Sequence, residues 1–462
     1  MGRRPKQPND SLDALMREAG MSRKGLAARV VKLGERRGLE LRYNHSSVAR
    51  WVRGETPRQP TPDLIAEVLS NSLARSITAA DIGMKERKKS DSGAALRLTL
   101  HPAESAHRLA ALAHDDLEHR RALVEAGFDL AAYSSAALRW LLAPRTALLD
   151  AQGSRAIGMA DVEDIREATR AFRVLDNQMG GGRIQSTVVD YLRGNLIPLL
   201  HDARCKEDVR RELFSAAAEV AQLAGWQAYD LEQQGVAQRY LVQALSMARH
   251  AGDDGLGGEI LAAMSHQAIW VSQPTHAIDL AHAAQEAANR ADLPVLKTEG
   301  LVMEAHAHAL LGDAGACSRA LRRASVAFEK NSAETPAWLG YFDEAYLSAR
   351  IAHTFRALGQ GHTAVQYAKQ SLIMDKRYVR GRAFNVALLA ASYAIQGDVE
   401  QACVTGREAI DRAAPLMSAR VVTYIRNLLV DLSDYDDVAE CRDLREYAKT
   451  RLPALRPHAS LR

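Results

Sequence analysis

Apolar residues recur at three- and four-residue spacing along most of the chain, and this pattern predicts helices. Leu12, Leu15 and Met16 share one face of a helix from Ser11 to Glu18, which stops at Gly20. Ser22 is placed to cap a second helix, Arg23–Arg37, with Leu26, Ala27, Val30 and Leu33 in register; Gly34 weakens it and Gly38 ends it. Leu39–Tyr43 leads to Asn44, the cap of a third helix, His45–Arg53, which ends at Gly54. Pro57, Pro60 and Pro62 separate it from a fourth, Asp63–Arg75. Helical patterning resumes from Ala103 to Pro144, then in Asp161–Met179 and Ile184–Leu200. The Gly180-Gly181-Gly182 triplet between the last two has neither a preceding strand nor a following Lys-Ser/Thr. It therefore reads as a helix–helix corner and not as a phosphate cradle.

The second half repeats itself. Ala237, Ala277, Cys317, Ala364, Ala402 and Val438 are spaced by 40, 40, 47, 38 and 36 residues. Seven residues after the first five lie Ala244, Ala284, Ala324, Ser371 and Ala409; twelve before lie Gly225, Ser265, Ala305, Ala352 and Ala390. Columns of small residues at fixed offsets are what two closely crossing antiparallel helices need, so each unit is expected to be a helix hairpin. Arg426 and Arg445 break the pattern in the sixth unit, as a polar capping repeat would.

The third helix carries the chemistry of the head. Val48, Trp51 and Val52 can bury one side, leaving His45, Ser46, Ala49, Arg50 and Arg53 outward. Small residues at its start let a helix press into the major groove. His45, Ser46 and Arg50 become candidates for base contacts, Arg50 reaching guanine O6 and N7, while Arg53 and Arg58 suit phosphates and Ser47 joins them as a DNA-binding candidate. An ordinary solvated helix face would show the same pattern.

Charge distribution favours the nucleic-acid reading. Lys plus Arg is 60 and Asp plus Glu is 56, yet residues 1–89 hold 19 of the former and 10 of the latter, leaving the remainder net negative by five. Aromatic residues make up only 5%, in keeping with packed helices. Cys205, Cys317, Cys403 and Cys441 are scattered without a CxxC, which points away from disulfides and zinc and towards a reducing compartment. The Met1–Lys6 segment leads into no apolar run, and Ala122–Pro144 is interrupted by Glu125, Asp129 and Arg139, so a cytoplasmic protein without a membrane span is expected. GxSxG, HExxH and CxxC are all missing from the sequence; catalysis, a metal site and a cofactor are not assigned.

Ser22–Val30 (SRKGLAARV), Ser46–Gly54 (SSVARWVRG) and the Pro-containing exit resemble the lambda-repressor-like class of helix-turn-helix proteins. In that class the Ser-Val-x-x-Trp-x-x-Gly-like helix is the recognition helix. The segment between the two helices is longer than the usual tight turn by about a dozen residues. This version is similar to the helix-turn-helix domains on tetratricopeptide-type regulators of actinobacteria, including negative regulators of Streptomyces differentiation. The run Ile157-Gly158 … Asp161-Val162 … Arg166 … Phe172 … Leu175-Asp176 … Gly180-Gly181-Gly182 resembles their central segment. The repeat period is likewise near the roughly 34 residues of a tetratricopeptide unit.

The expected fold is therefore all-α: a helix-turn-helix domain (1–83), a linker (84–103), a helical middle region (104–204) and a tetratricopeptide-like α-solenoid with a C-terminal cap (205–462). In such repeats the first helix of each hairpin lines the concave face, where the column beside the small residue reads Trp226, His266, His306, His353, Ala391 and Asn427. Tyr229, Ile269, Trp270, Tyr346, Arg356 and Phe384 neighbour it. That mixture suits a peptide, and titration of the histidines would make binding vary between about pH 5.5 and 7.5. Interior packing would use the same residues. The resemblance implies a DNA-binding transcriptional regulator, a repressor of differentiation or secondary metabolism. Double-stranded DNA and a peptide or protein in the groove are its expected partners, and it is expected to act as a homodimer on two half-sites. The alternative is a non-catalytic scaffold whose basic head binds protein or RNA.

Overall fold

The computed structural model describes residues 8–36, 41–57, 61–73, 75, 77–79, 81–84, 93–144, 148–330 and 335–455. The fold is all-α and falls into two compact units, residues 1–92 and 93–462.

The first unit contains α1 (Asp10–Glu18), α2 (Arg23–Arg36), α3 (His45–Val52) and α4 (Thr61–Leu73). Leu12, Met16, Leu26, Val30, Val48, Trp51, Leu64, Ile65 and Leu69 meet in one core, each from the apolar face its spacing defines. Asn9 caps α1 at the Leu12 amide, 3.0 Å, and its amide nitrogen donates to the Ile82 carbonyl at 2.8 Å, so the cap also ties the end of the unit to its start. Tyr43 packs edge-on against Trp51 at 5.0 Å and fixes the approach to α3.

The second unit begins at once. Residues 93–101, expected as the end of the linker, pack onto the body: Ala95, Leu96, Leu98 and Thr99 are buried, and Gln243 donates to the Ala95 carbonyl at 2.8 Å. Small and polar composition hid four apolar or β-branched residues that fill a groove. Residues 85–92 of the expected linker lie outside the described residues.

Then come α5 (Pro102–Glu118), α6 (Arg120–Glu125), α7 (Leu130–Leu142), α8 (Met159–Met179), α9 (Gly181–Tyr191) and α10 (Ile197–Asp202), the last two joined by a π-helical turn at Leu192–Leu196. Three short strands, β1 (Ala151–Gln152), β2 (Arg155–Ala156) and β3 (Ala203–Cys205), form a small sheet with β3 central, antiparallel to β1 and parallel to β2. Six helix pairs follow: α11 (Glu207–Asp230) with α12 (Gln234–Ala251), α13 (Asp254–Trp270) with α14 (Pro274–Ala291), and α15 (Pro294–Leu310) with α16 (Ala314–Glu329). The last three are α17 (Glu344–Ala357) with α18 (Gly361–Gln370), α19 (Val379–Gln396) with α20 (Val399–Ala413), and α21 (Ala419–Asp431) with α22 (Ala439–Arg451).

The small-residue columns lie where these pairs cross. A side chain on Gly225 would meet Leu241, Tyr240 and the Ala237 carbonyl within 3.3 Å, and the Ser265 hydroxyl donates to the Ala277 carbonyl at 2.7 Å. Backbones that close leave no room for a larger residue in either column. The row of pairs also returns to the middle region. Gly182 N donates to Met417 O at 3.0 Å and Met417 N to Met179 O at 2.9 Å, so the glycine corner is a docking point for the chain that enters α21. A Cβ at Gly180, whose φ is +87°, would sit 2.8 Å from the Met417 backbone, which is why glycine is needed there.

Candidate functional site

In the head, Asn44 accepts from the Ser47 amide at 3.1 Å, and the Ser47 hydroxyl returns to the Asn44 amide at 3.4 Å. This reciprocal cap starts α3 abruptly and leaves His45 and Ser46 exposed at its start. Val48 and Trp51 are buried, while His45, Ser46, Arg50 and Arg53 face outward, with Ala49 half-buried between them. Arg50 is 3.9 Å from Glu55, a contact too long to hold it, and Arg53 Nε donates to the Ala49 carbonyl at 3.2 Å. Arg23, Lys24, Arg29, Lys32 and Arg42 are exposed on the same unit.

Ser47 departs from its expected role. It is 4% exposed and its hydroxyl belongs to the cap, so it is turned inward and not outward with His45 and Ser46. Ser47→Ala is expected to lower head stability by about 0.5–1 kcal/mol and to leave any base preference unchanged, as followed by thermal unfolding and by mobility shift. Arg58 lies outside the described residues.

In the body, the column from the first helices of the hairpins converges, but on the protein itself. His266 Nε2 accepts from Arg350 Nη1 at 2.8 Å, so the ring proton sits on Nδ1 and is donated to Tyr229 Oη at 2.7 Å. The other arm of Arg350 donates to His306 Nδ1 at 3.1 Å; His306 stacks on His353 at 5.8 Å, and His353 Nε2 is 3.3 Å from Tyr424 Oη. Trp226 packs edge-on against His266 at 5.6 Å. Trp270 stacks on Tyr424 at 5.4 Å. Arg420 enters from α21 and places its guanidinium 4.0 Å from the Tyr229 ring centre, 4.8 Å from Phe384, 5.2 Å from Trp270 and 5.6 Å from Trp226. Asn427 is exposed and shares none of these contacts.

The expected titration near neutral pH does not survive this geometry. Burial first, then the adjacent Arg350 charge, holds His266, His306 and His353 well below the usual imidazole range, so they remain neutral between pH 5.5 and 7.5.

Beside this cluster lies an acidic one. Burial, then the Glu299 charge, pushes Glu259 up to about 8, and burial pushes Glu299 up to about 7. Tyr341 donates to both Glu299 oxygens at 2.9 Å, and Gln222 donates to Glu259 at 2.8 Å. Sequence reading missed Arg350, Arg420, Tyr424, Glu259 and Glu299. Each except Tyr424 is a charged residue on an otherwise apolar helical face, and that is the one signal that marks it. Cys403 and Cys441, read as unpaired, touch at 3.5 Å across α20 and α22 as free thiols. Their separation of 38 residues is one repeat period, which periodicity could have exposed.

Residues 12–85 match the family model of the SP15 N-terminal domain, a span that begins inside α1 and runs past the end of α4. No curated protein matches the chain. Among the described residues no group of His, Cys, Asp or Glu is arranged to hold a metal, and no helix is long and apolar enough to cross a membrane.

Proposed function

We propose that the chain is a sequence-specific DNA-binding transcriptional regulator, with α3 as the reading helix of a helix-turn-helix-like head and a tetratricopeptide-like body for dimerisation. The observation that carries this reading is α3 itself: a capped helix anchored by Val48 and Trp51 that presents His45, Ser46, Arg50 and Arg53 together from a basic unit. His45, Ser46 and Arg50 then reach base edges and Arg53 a phosphate. The repressor role rests on the likeness of residues 22–30 and 46–54 to regulators of that kind.

One head contacts few base pairs, so useful specificity calls for a dimer on two half-sites. Light scattering of the full chain bound to DNA is expected to give two chains per site; one chain per site removes the dimer. A peptide along the concave face would have to displace Arg420 from its ring of aromatic side chains, so the self-filled column offers no open groove to it.

Selection from a random duplex pool supplies the cognate site. Against it, Arg50→Ala is expected to cost about 1–3 kcal/mol and to relax preference at one base pair. Equal loss on cognate and random duplexes would move Arg50 to a phosphate. Binding that depends on salt but shows no sequence preference would favour the scaffold reading.

A further inference from the structure

A cleft of about 220 Å³ opens in the body between α8, the first half of α11 and the loop that leads to α17. Arg166, Arg170 and Arg173 line it from one face of α8, at the spacing that stacks side chains along a helix. Glu219 and Asp253 face them, and Trp338 forms a half-buried apolar wall.

The three arginines are not equally engaged. Arg166 is paired with Glu212 at 2.5 Å and Glu219 at 3.4 Å, and Arg170 with Glu163 at 2.8 Å. Arg173 donates to the Gln222 side chain at 2.8 Å and, among the described residues, has no ion pair; its Nε is buried without a hydrogen-bond partner. Asp253 is occupied by the Leu256 amide and the Ser215 hydroxyl, both at 2.9 Å. Glu212 and Glu219 neutralise Arg166, and Glu163 neutralises Arg170, so Arg173 is the lining guanidinium left without an ion pair among the described residues.

One guanidinium without an ion pair suits a monoanion. A phosphate dianion would exceed its charge and be repelled by Glu219 and Asp253. A carboxylate matches the planar guanidinium fork, and Trp338 offers its face to an apolar or ring-bearing body. The volume, below the roughly 300–1,000 Å³ of drug-sized sites, limits the occupant to a small group. We propose that this cleft binds a small organic monocarboxylate, its carboxylate on Arg173 and its apolar body against Trp338. The site belongs to the second unit and α3 to the first, so the proposal does not rest on the DNA-binding reading.

Titration calorimetry of the full chain with phenylacetate tests this, with Trp fluorescence as a second readout. Saturable binding is expected, weakened about tenfold or more for neutral phenylacetamide and for Arg173→Gln, and less for Trp338→Leu. The acid–amide comparison needs no variant, so it holds even if Arg173→Gln fails to fold. Gly-Gly-Phe and its C-terminal amide separate the two sources of this chemistry: tighter binding by the acid tripeptide than by phenylacetate identifies a peptide terminus, and its exclusion identifies a free acid. No saturation, equal affinity for acid and amide, full affinity in a folded Arg173→Gln, or displacement of phenylacetate by inorganic phosphate at lower concentration would overturn the proposal.

Discussion

Arg380→Met is expected to lower the stability of the body by about 3–5 kcal/mol, with a fall in Tm on the order of 5 °C. Arg380 is buried on α19 and reaches Asp176 of α8 at 2.6 Å and Asp230 of α11 at 3.3 Å. Both carboxylates are buried, and together they hold the guanidinium firmly in its charged form. Removing it strands two negative charges in a low-dielectric interior, the expensive way to break such a pair. The two aspartates do not suffer equally. Asp230 keeps the Gly181 amide at 3.0 Å and the Ser418 hydroxyl at 2.8 Å, whereas Asp176 has one oxygen already without a partner. The double variant Arg380→Met with Asp176→Leu should therefore recover part of the loss, since it leaves one satisfied carboxylate and an apolar contact. Thermal unfolding followed by circular dichroism checks both. A loss below about 1 kcal/mol in the single variant would mean that Arg380 does not fasten α19 to α8 and α11.

That fastening explains why some features could be read from the chain and others could not. Helix pairing is a local property, and the small-residue columns expose it because a close crossing excludes every larger side chain. Gly225 against Ala237 and Ser265 against Ala277 are such crossings. How far the row of pairs curves is a long-range property. It brings α21 back to α8 and α11, and with it Arg420 into the aromatic ring set of Trp226, Tyr229, Trp270 and Phe384. From one column of residues, an open groove and a filled interior look the same; the element that fills it lies about 150–200 residues away in sequence. In the head, composition placed Ser47 with its exposed neighbours, but the cap formed with Asn44 turns it inward. Gly180, Gly181 and Gly182 signalled a corner correctly, and only the folded positions of Met417, against Gly180 and Gly182, and of Gln227, against Gly181, show why three successive glycines are needed.

Two sets of buried groups of opposite character limit the body's stability, one as pH rises and the other as pH falls. Glu259 and Glu299 ionise near 4.5 in the unfolded chain but only near about 8 and about 7 in the fold. Between those limits the folded chain holds protons that the unfolded chain has released. Stability therefore falls as pH rises, by up to about 1.4 kcal/mol per pH unit per group. His266, His306 and His353 act in the reverse sense. Their folded values lie well below 6.5, so as pH drops through 6.5 the unfolded chain takes up protons that the fold refuses, and stability falls on the acid side. A difference measurement isolates the alkaline limb. Glu259 faces Glu299, Glu219, Arg173 and Tyr341, and one of its oxygens is buried without a partner. Glu259→Gln keeps the acceptor for Gln222 and cannot ionise. It should cost about 1 kcal/mol at pH 5, where its amide nitrogen inherits the unpartnered position. Relative to the parent it should then gain about 2 kcal/mol between pH 6.5 and 8.5, as Glu259 is forced to ionise in the parent alone. Denaturant unfolding at both pH values reads this directly. A difference that stays flat across that range would show that Glu259 is already a carboxylate in the folded body, and that burial does not govern it.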